Sequence, residues 1–193
     1  MTRVGLATSN PGKVREIAAI VPSEITVVPP PDGWIAPPET GETYRENALL
    51  KARALVGVLG IACMADDSGI EVDALGGAPG PLSARFSAEG SDEANLRKLI
   101  DAIERTPEEA RGARYRCVAV LVHPSGHEHI AEATVEGRLL TQPRGSGGFG
   151  YDPIFVPLDG DGRTMAELSP ADKDAISHRG KAFRALSRAL RAL

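Results

Sequence analysis

Two adjacent carboxylates, Asp66 and Asp67, stand at the end of the short apolar run Ile61–Ala65. Ionised acids are costly to bury unless they are paired or hold a cation, so the pair marks a candidate catalytic or metal-binding position. Side chains alternate along a strand, which sends the two to opposite faces and lets one of them reach a ligand directly. The alternative is a solvated Asp-Ser-Gly turn over residues 67–69. Glu46 is a second candidate, because Mg²⁺ takes one or two protein carboxylates together with substrate phosphates. Glu46 also completes the capping box Thr43-Tyr44-Arg45-Glu46, where a Glu serves a purely local purpose. Asn47 and Lys51, four apart on the same expected helix, share a face that could point at a ligand.

Thr8-Ser9-Asn10-Pro11-Gly12-Lys13 joins a strand end to a helix start, with Asn10 as N-cap and Pro11 as first helical residue. A helix N-terminus with adjacent hydroxyls and Lys13 suits a phosphate chain, although ordinary capping explains the same residues. It is not a Walker A loop, since the glycine spacing fails and Val14 stands where Ser or Thr is required. Gly145–Gly150 formally matches GxGxxG, yet the following Tyr151-Asp152-Pro153-Ile154-Phe155 forms no helix to meet a pyrophosphate. That loop could instead present Phe149 to a flat ligand such as a base. His123, His127 and His129 cluster at an expected hairpin turn and read as exposed strand-end residues rather than a zinc set. His178 differs. With Lys173 and Arg179 it puts positive charge near a helix start, against the favoured pattern there, which points to a functional reason over the alternative, the start of a basic terminal helix with Ser177 as N-cap.

The elements that must position these residues are legible in the periodicity. Strands are expected at Arg3–Ala7, Ile25–Val28, Ile61–Ala65, Ile70–Val72, Tyr115–Val122, Ile130–Leu140 and Ile154–Val156. Helices are expected over Val14–Val21, from Thr43 to about Val58, over Ser91–Arg105, and from about Lys181 to the C-terminus. Pro29–Pro38 and Gly76–Pro81 are loops, and Pro124-Ser125-Gly126 closes a hairpin. Mixed strands and helices of this kind predict an α/β domain.

Composition bounds the rest. A chain of 193 residues predicts one domain over 1–193, and 42% hydrophobic with 25% charged residues excludes bulk disorder. A net charge of −4 argues against a nucleic-acid polymer as partner, and 4% aromatic residues argue against a stacking platform for single strands. The longest apolar run, Cys117–Val122, is far too short to cross a membrane, and the N-terminus carries no signal-peptide core. Cys63 and Cys117 lie in apolar segments without CxxC spacing and read as reduced core residues of a cytoplasmic protein.

Taken in order, Thr8–Lys13, Thr43–Ala48, Ala65–Gly69, Gly77–Gly80 through Ser83-Ala84-Arg85, Gly147–Phe155 and Lys173–Arg179 resemble the inosine/xanthosine triphosphate pyrophosphatase family. The resemblance runs from residue 8 to about 182. It implies a mixed sheet with flanking helices in two lobes around a central nucleotide-binding cleft, a Mg²⁺ requirement and a homodimer. It also implies hydrolysis of non-standard purine triphosphates (ITP, dITP, XTP) to the monophosphate and pyrophosphate, which cleanses the nucleotide pool. Carried over by position, Thr8, Ser9, Asn10, Pro11, Gly12 and Lys13 would hold the triphosphate. Glu46 and Asp67 would hold the metal, and Asp67 would act as general base. Ser68 would contact substrate, Phe149, Gly150, Tyr151 and Asp152 would form the base pocket, and Lys173, His178 and Arg179 would recognise the purine. Tyr44 and Phe86 depart from the family's usual Phe and Tyr but keep an aromatic ring. Pyrimidine-directed pyrophosphatases are the rival among enzymes, but they are not expected to carry His178-Arg179. A catalytically silent nucleotide sensor is the rival from another class, and it would need no water-activating acid.

Overall fold

Asn10 and Pro11 start a helix for local reasons. The Asn10 side chain accepts hydrogen bonds from the backbone N–H groups of Gly12 (2.8 Å) and Lys13 (3.2 Å), and Pro11 lacks the donor that a first turn would leave orphaned. In the computed structural model, which describes residues 2–193, this helix is α1 (Pro11–Ile20), entered from strand β1 (Thr2–Leu6). Strand β2 (Ile25–Val28) follows, then helix α2 (Tyr44–Leu59) and strand β3 (Cys63–Val72). Next come helix α3 (Asp92–Ile103) and strands β4 (Gly112–Val122), β5 (Glu128–Leu139) and β6 (Phe155–Pro157). Helices α4 (Pro170–Ile176) and α5 (His178–Arg191) close the chain. One mixed sheet runs β2-β1-β3-β4-β5-β6, with β1 parallel to both β2 and β3, and β6 antiparallel to β5. The α/β expectation therefore holds.

Three expectations change. The two short strands around residues 66–69 are one strand, β3, so Asp66, Asp67 and Ser68 sit in extended backbone and not in an Asp-Ser-Gly turn. Helix α4 was not apparent in the periodicity because seven residues offer too few apolar positions, yet its start is local. Ser169 accepts from the Asp172 N–H at 3.2 Å and Pro170 takes the first helical position. Helix α5 opens at His178, not Lys181.

The chain groups into two compact units. Among the described residues, the first comprises 2–67, 117–133 and 179–193, and the second 68–116 and 134–178. In the first unit the strand alternation separates two apolar clusters. Met64, Cys117, Ala119 and Leu121 pack with Ile17 of α1 and with Phe183, Leu186 and Leu190 of α5. Cys63, Ala65, Val118, Val120 and Val122 pack with Tyr44, Ala48, Ala52 and Leu55 of α2. Each large side chain buried this way stabilises by about 1.5–3 kcal/mol. In the second unit Leu99 and Ile103 of α3 cover Ile70, Val72, Tyr115, Val135, Leu139, Ile154 and Phe155.

Candidate active site

Alternation along β3 decides what each acid meets in the first unit. Asp66 follows Met64 onto the α1/α5 face, and Asp67 follows Ala65 onto the α2 face. The Asp66 Oδ2 accepts from Lys13 Nζ at 3.0 Å and from Arg179 Nε and Nη2, both at 3.3 Å. Arg179 Nη1 donates to Glu16 Oε2 at 2.5 Å, so α1, β3 and α5 meet in one buried charge cluster. Burial alone would push the Asp66 carboxyl up. Lys13, Arg179 and Lys51 outweigh it and hold the group far below the usual carboxylate range.

Asp67 has the opposite balance. Burial is the largest influence and, with the Glu39 carboxylate adding to it, raises the Asp67 pKa above the ordinary value. Lys51, Lys13 and the Asn47 hydrogen bond only partly oppose this. The Asn47 amide donates to Asp67 Oδ2 at 3.1 Å, and Lys51 Nζ lies 3.5 Å from Oδ1. The raised value makes Asp67 a better proton acceptor than an exposed aspartate. Lys51 also reaches Glu39 Oε1 at 2.8 Å. Burial works against its charge, but Asp67, Asp66 and Glu39 raise its pKa and keep it an ammonium.

Glu46 is turned to another task. Its Oε2 accepts from the backbone N–H groups of Glu42 (2.8 Å) and Thr43 (3.0 Å) while the Thr43 hydroxyl accepts from the Glu46 N–H, closing the capping box at an exposed helix end. The backbone donors of Thr43 and Glu42 lower its pKa. Glu39 carries no local signal in the sequence. It sits after Pro37-Pro38 in a segment without periodicity, and only the chain fold brings it to Lys51 and Asp67. Two carboxylates converging on one ammonium mark a place where positive charge is stabilised, and hard oxygen donors of this kind suit a hard divalent cation. Thr8 is half-buried, Ser9, Asn10 and Pro11 are exposed, and Gly12 is buried, with Thr8 Oγ1 accepting from the Asn10 N–H at 3.2 Å.

In the second unit the expected base-site residues converge on Asp152, which is 3% exposed. Its Oδ2 accepts from Lys173 Nζ at 2.6 Å and from the Phe149 N–H at 2.9 Å, and its Oδ1 accepts from the Tyr115 hydroxyl at 3.2 Å. Lys173 Nζ also lies 4.7 Å from the centre of the half-buried Phe149 ring, within cation–π range. The Gly150 N–H donates to Asp92 Oδ2 at 3.1 Å, so two carboxylates anchor the glycine loop by its backbone. Tyr151 donates to the Ser83 carbonyl at 2.7 Å, and its phenol pKa is raised by burial. The buried His178 ring lies on Tyr115 with centroids 4.6 Å apart and planes 6° from parallel. Ser68 is half-buried at the start of this unit's part of β3. Of the expected purine-recognising residues, Lys173 and His178 fall in this unit and Arg179 in the first, directed at Asp66 and Glu16. After the glycine loop the chain makes a single short turn at Asp152–Ile154 and enters β6, so no helix follows to receive a dinucleotide.

The model of the Ham1 family matches residues 4–189. The chain is 48% identical to a dITP/XTP pyrophosphatase of Streptomyces coelicolor, covering 100% of this chain and 99% of that protein. It is 47% identical to a dITP/XTP pyrophosphatase of Corynebacterium diphtheriae, covering 95% of this chain and 94% of that protein. Among solved structures, a HAM1 protein from Coxiella burnetii superposes with a TM-score of 0.89 at 36% identity, over 100% of both chains. A nucleoside-triphosphatase, dITP/XTP pyrophosphatase, from Mycobacterium abscessus superposes with a TM-score of 0.76 at 44% identity, over 96% of this chain and 98% of that one.

Proposed function

The chain belongs to the Ham1 family, and from that membership we propose that it is a dITP/XTP pyrophosphatase, hydrolysing non-standard purine nucleoside triphosphates to the monophosphate and pyrophosphate. The observation that carries the reading is Asp67: a buried carboxylate oriented by Asn47 and set beside Lys51, which also holds Glu39. In this reading residues 1–193 act as one pyrophosphatase domain.

Thr8–Lys13 take the triphosphate, with Lys13 offsetting charge that develops on the phosphates. Asp67 accepts the proton of a water that attacks the α-phosphorus, the bond to the bridging oxygen breaks, and pyrophosphate leaves. Glu39 with Asp67 would hold Mg²⁺, in place of the expected pair of Glu46 with Asp67, because Glu46 is engaged at the end of α2. When bound, that ion supplies neutralisation of phosphate oxygens. Ser68 contacts the nucleotide. Phe149, Gly150, Tyr151 and Asp152 enclose the base, and Lys173, His178 and Arg179 recognise it. Lys173 and Arg179 can only donate hydrogen bonds, which favours a purine carrying a carbonyl at C6 over adenine, whose C6 amine is itself a donor. The family resemblance extends this reading to a homodimer in the cytoplasm, and no helix among the described residues is long and apolar enough to cross a membrane. The deciding experiment measures pyrophosphate release with Mg²⁺ from ITP, XTP, dTTP and ATP in parallel. Release from ITP and XTP well above the other two is expected, and equal or absent release overturns the reading.

A further inference from the structure

Tyr115 belongs to none of the motifs that mark the base site, yet it touches two of that site's residues. It lies on β4 and is 6% exposed. One contact is the parallel stack on His178. Stacking covers a face of the imidazole and consumes none of its in-plane donors or acceptors, so it restrains the ring plane without competing for hydrogen bonds. The other contact is the hydroxyl bond to Asp152 Oδ1. It sets the rotation of the carboxylate whose Oδ2 holds both Lys173 and the Phe149 N–H. Tyr115 is itself held, because its ring packs on Phe155 at 4.5 Å with planes tilted by 47°.

Resting on the base site read above, we propose that Tyr115 is the positioning residue of purine recognition, its ring setting the plane of His178 and its hydroxyl setting the carboxylate that aims Lys173 and Phe149. It acts through these residues and does not touch the reacting atoms. Losing the stack removes one restraint on the imidazole plane, and losing the hydroxyl removes one of the three donors that set the Asp152 carboxylate. Both should weaken binding of the base while leaving the triphosphate's own interactions alone.

The test compares wild type, Tyr115→Phe and Tyr115→Leu by calorimetric titration with ITP and with inorganic tripolyphosphate, in metal-free buffer where turnover is not needed. Tyr115→Leu should weaken ITP about tenfold or more, given the worth of an aromatic pair, and leave tripolyphosphate within about twofold. Tyr115→Phe keeps the ring and should fall between, about threefold weaker for ITP alone. Unchanged ITP affinity in Tyr115→Leu, or a parallel loss of both ligands, overturns the proposal. If Tyr115→Leu fails to fold, Tyr115→Phe decides: a loss confined to ITP supports the proposal and an unchanged affinity refutes it. Pyrophosphate release by the wild type is scored separately. ITP binding without release would sink the enzymatic reading while leaving the role of Tyr115 intact.

Discussion

Asp66→Asn tests the charge cluster that joins α1, β3 and α5. The carboxylate is 2% exposed and faces two cations, Lys13 at 3.0 Å and Arg179 at 3.3 Å through two nitrogens. Asparagine keeps the size and can still accept a hydrogen bond, but it leaves two cations with Glu16 as the nearby carboxylate, bonded to Arg179. Arg179 is 2% exposed, so water cannot make up the difference. Breaking a buried pair by removing one partner costs about 3–5 kcal/mol, chiefly because the remaining charge stays desolvated. For a chain of this length 1 kcal/mol moves Tm by about 2–4 °C, so a fall of roughly 6 °C or more is expected. The pH dependence has a definite sign. A carboxyl held below its unfolded value of about 3.9 contributes stability that is complete above that pH and is lost as pH falls towards the folded value. The gap between wild type and Asp66→Asn should therefore be constant near neutrality and narrow below about pH 4. The assay is urea unfolding of both proteins at pH 7, 4 and 3. A loss under about 1 kcal/mol at pH 7, or a gap that widens in acid, refutes the reasoning.

Asp67→Asn should cut the rate of ITP hydrolysis about a hundredfold or more with ITP binding retained in calorimetry; near-normal turnover by the folded variant removes Asp67 from the chemistry. Glu39→Gln should raise the Mg²⁺ concentration needed for half-maximal activity, whereas Glu46→Gln, which preserves the capping box, should leave it and the melting temperature unchanged. The reverse order in a Mg²⁺ titration would return the metal role to Glu46. Gly148 has φ +69° and a Cβ there would collide with the Asp152 carboxylate, so Gly148→Ala should displace the loop and raise KM for ITP several-fold. Unchanged kinetics would show that the loop's backbone does not shape the base site. Arg179→Ala should reduce kcat/KM for ITP far more than for ATP; an equal loss on both substrates confines Arg179 to its ion pairs with Asp66 and Glu16.

Local chemistry is what the sequence determined by itself. The Asn10-Pro11 start of α1, the Thr43/Glu46 box opening α2 and the apolar spacing of Phe183, Leu186 and Leu190 each follow from contacts within a turn or two, which periodicity and side-chain type reveal directly. The same holds for the opposite destinations of Asp66 and Asp67, since alternation is a property of any strand. Tertiary structure alone decided which partners wait on each face. Asp66 meets Lys13 across 53 residues and Arg179 across 113, and Tyr115 meets Asp152 across 37. No local signal encodes such pairings, because they depend on which helix the sheet carries on that side. Glu39 shows the limit most clearly. Its segment has neither a period nor a cap to announce it, whereas Glu46 announces itself through a cap that then occupies its carboxylate. A carboxylate's availability for a cation depends on the donors that already surround it, and at this site those donors are known only once the chain has folded.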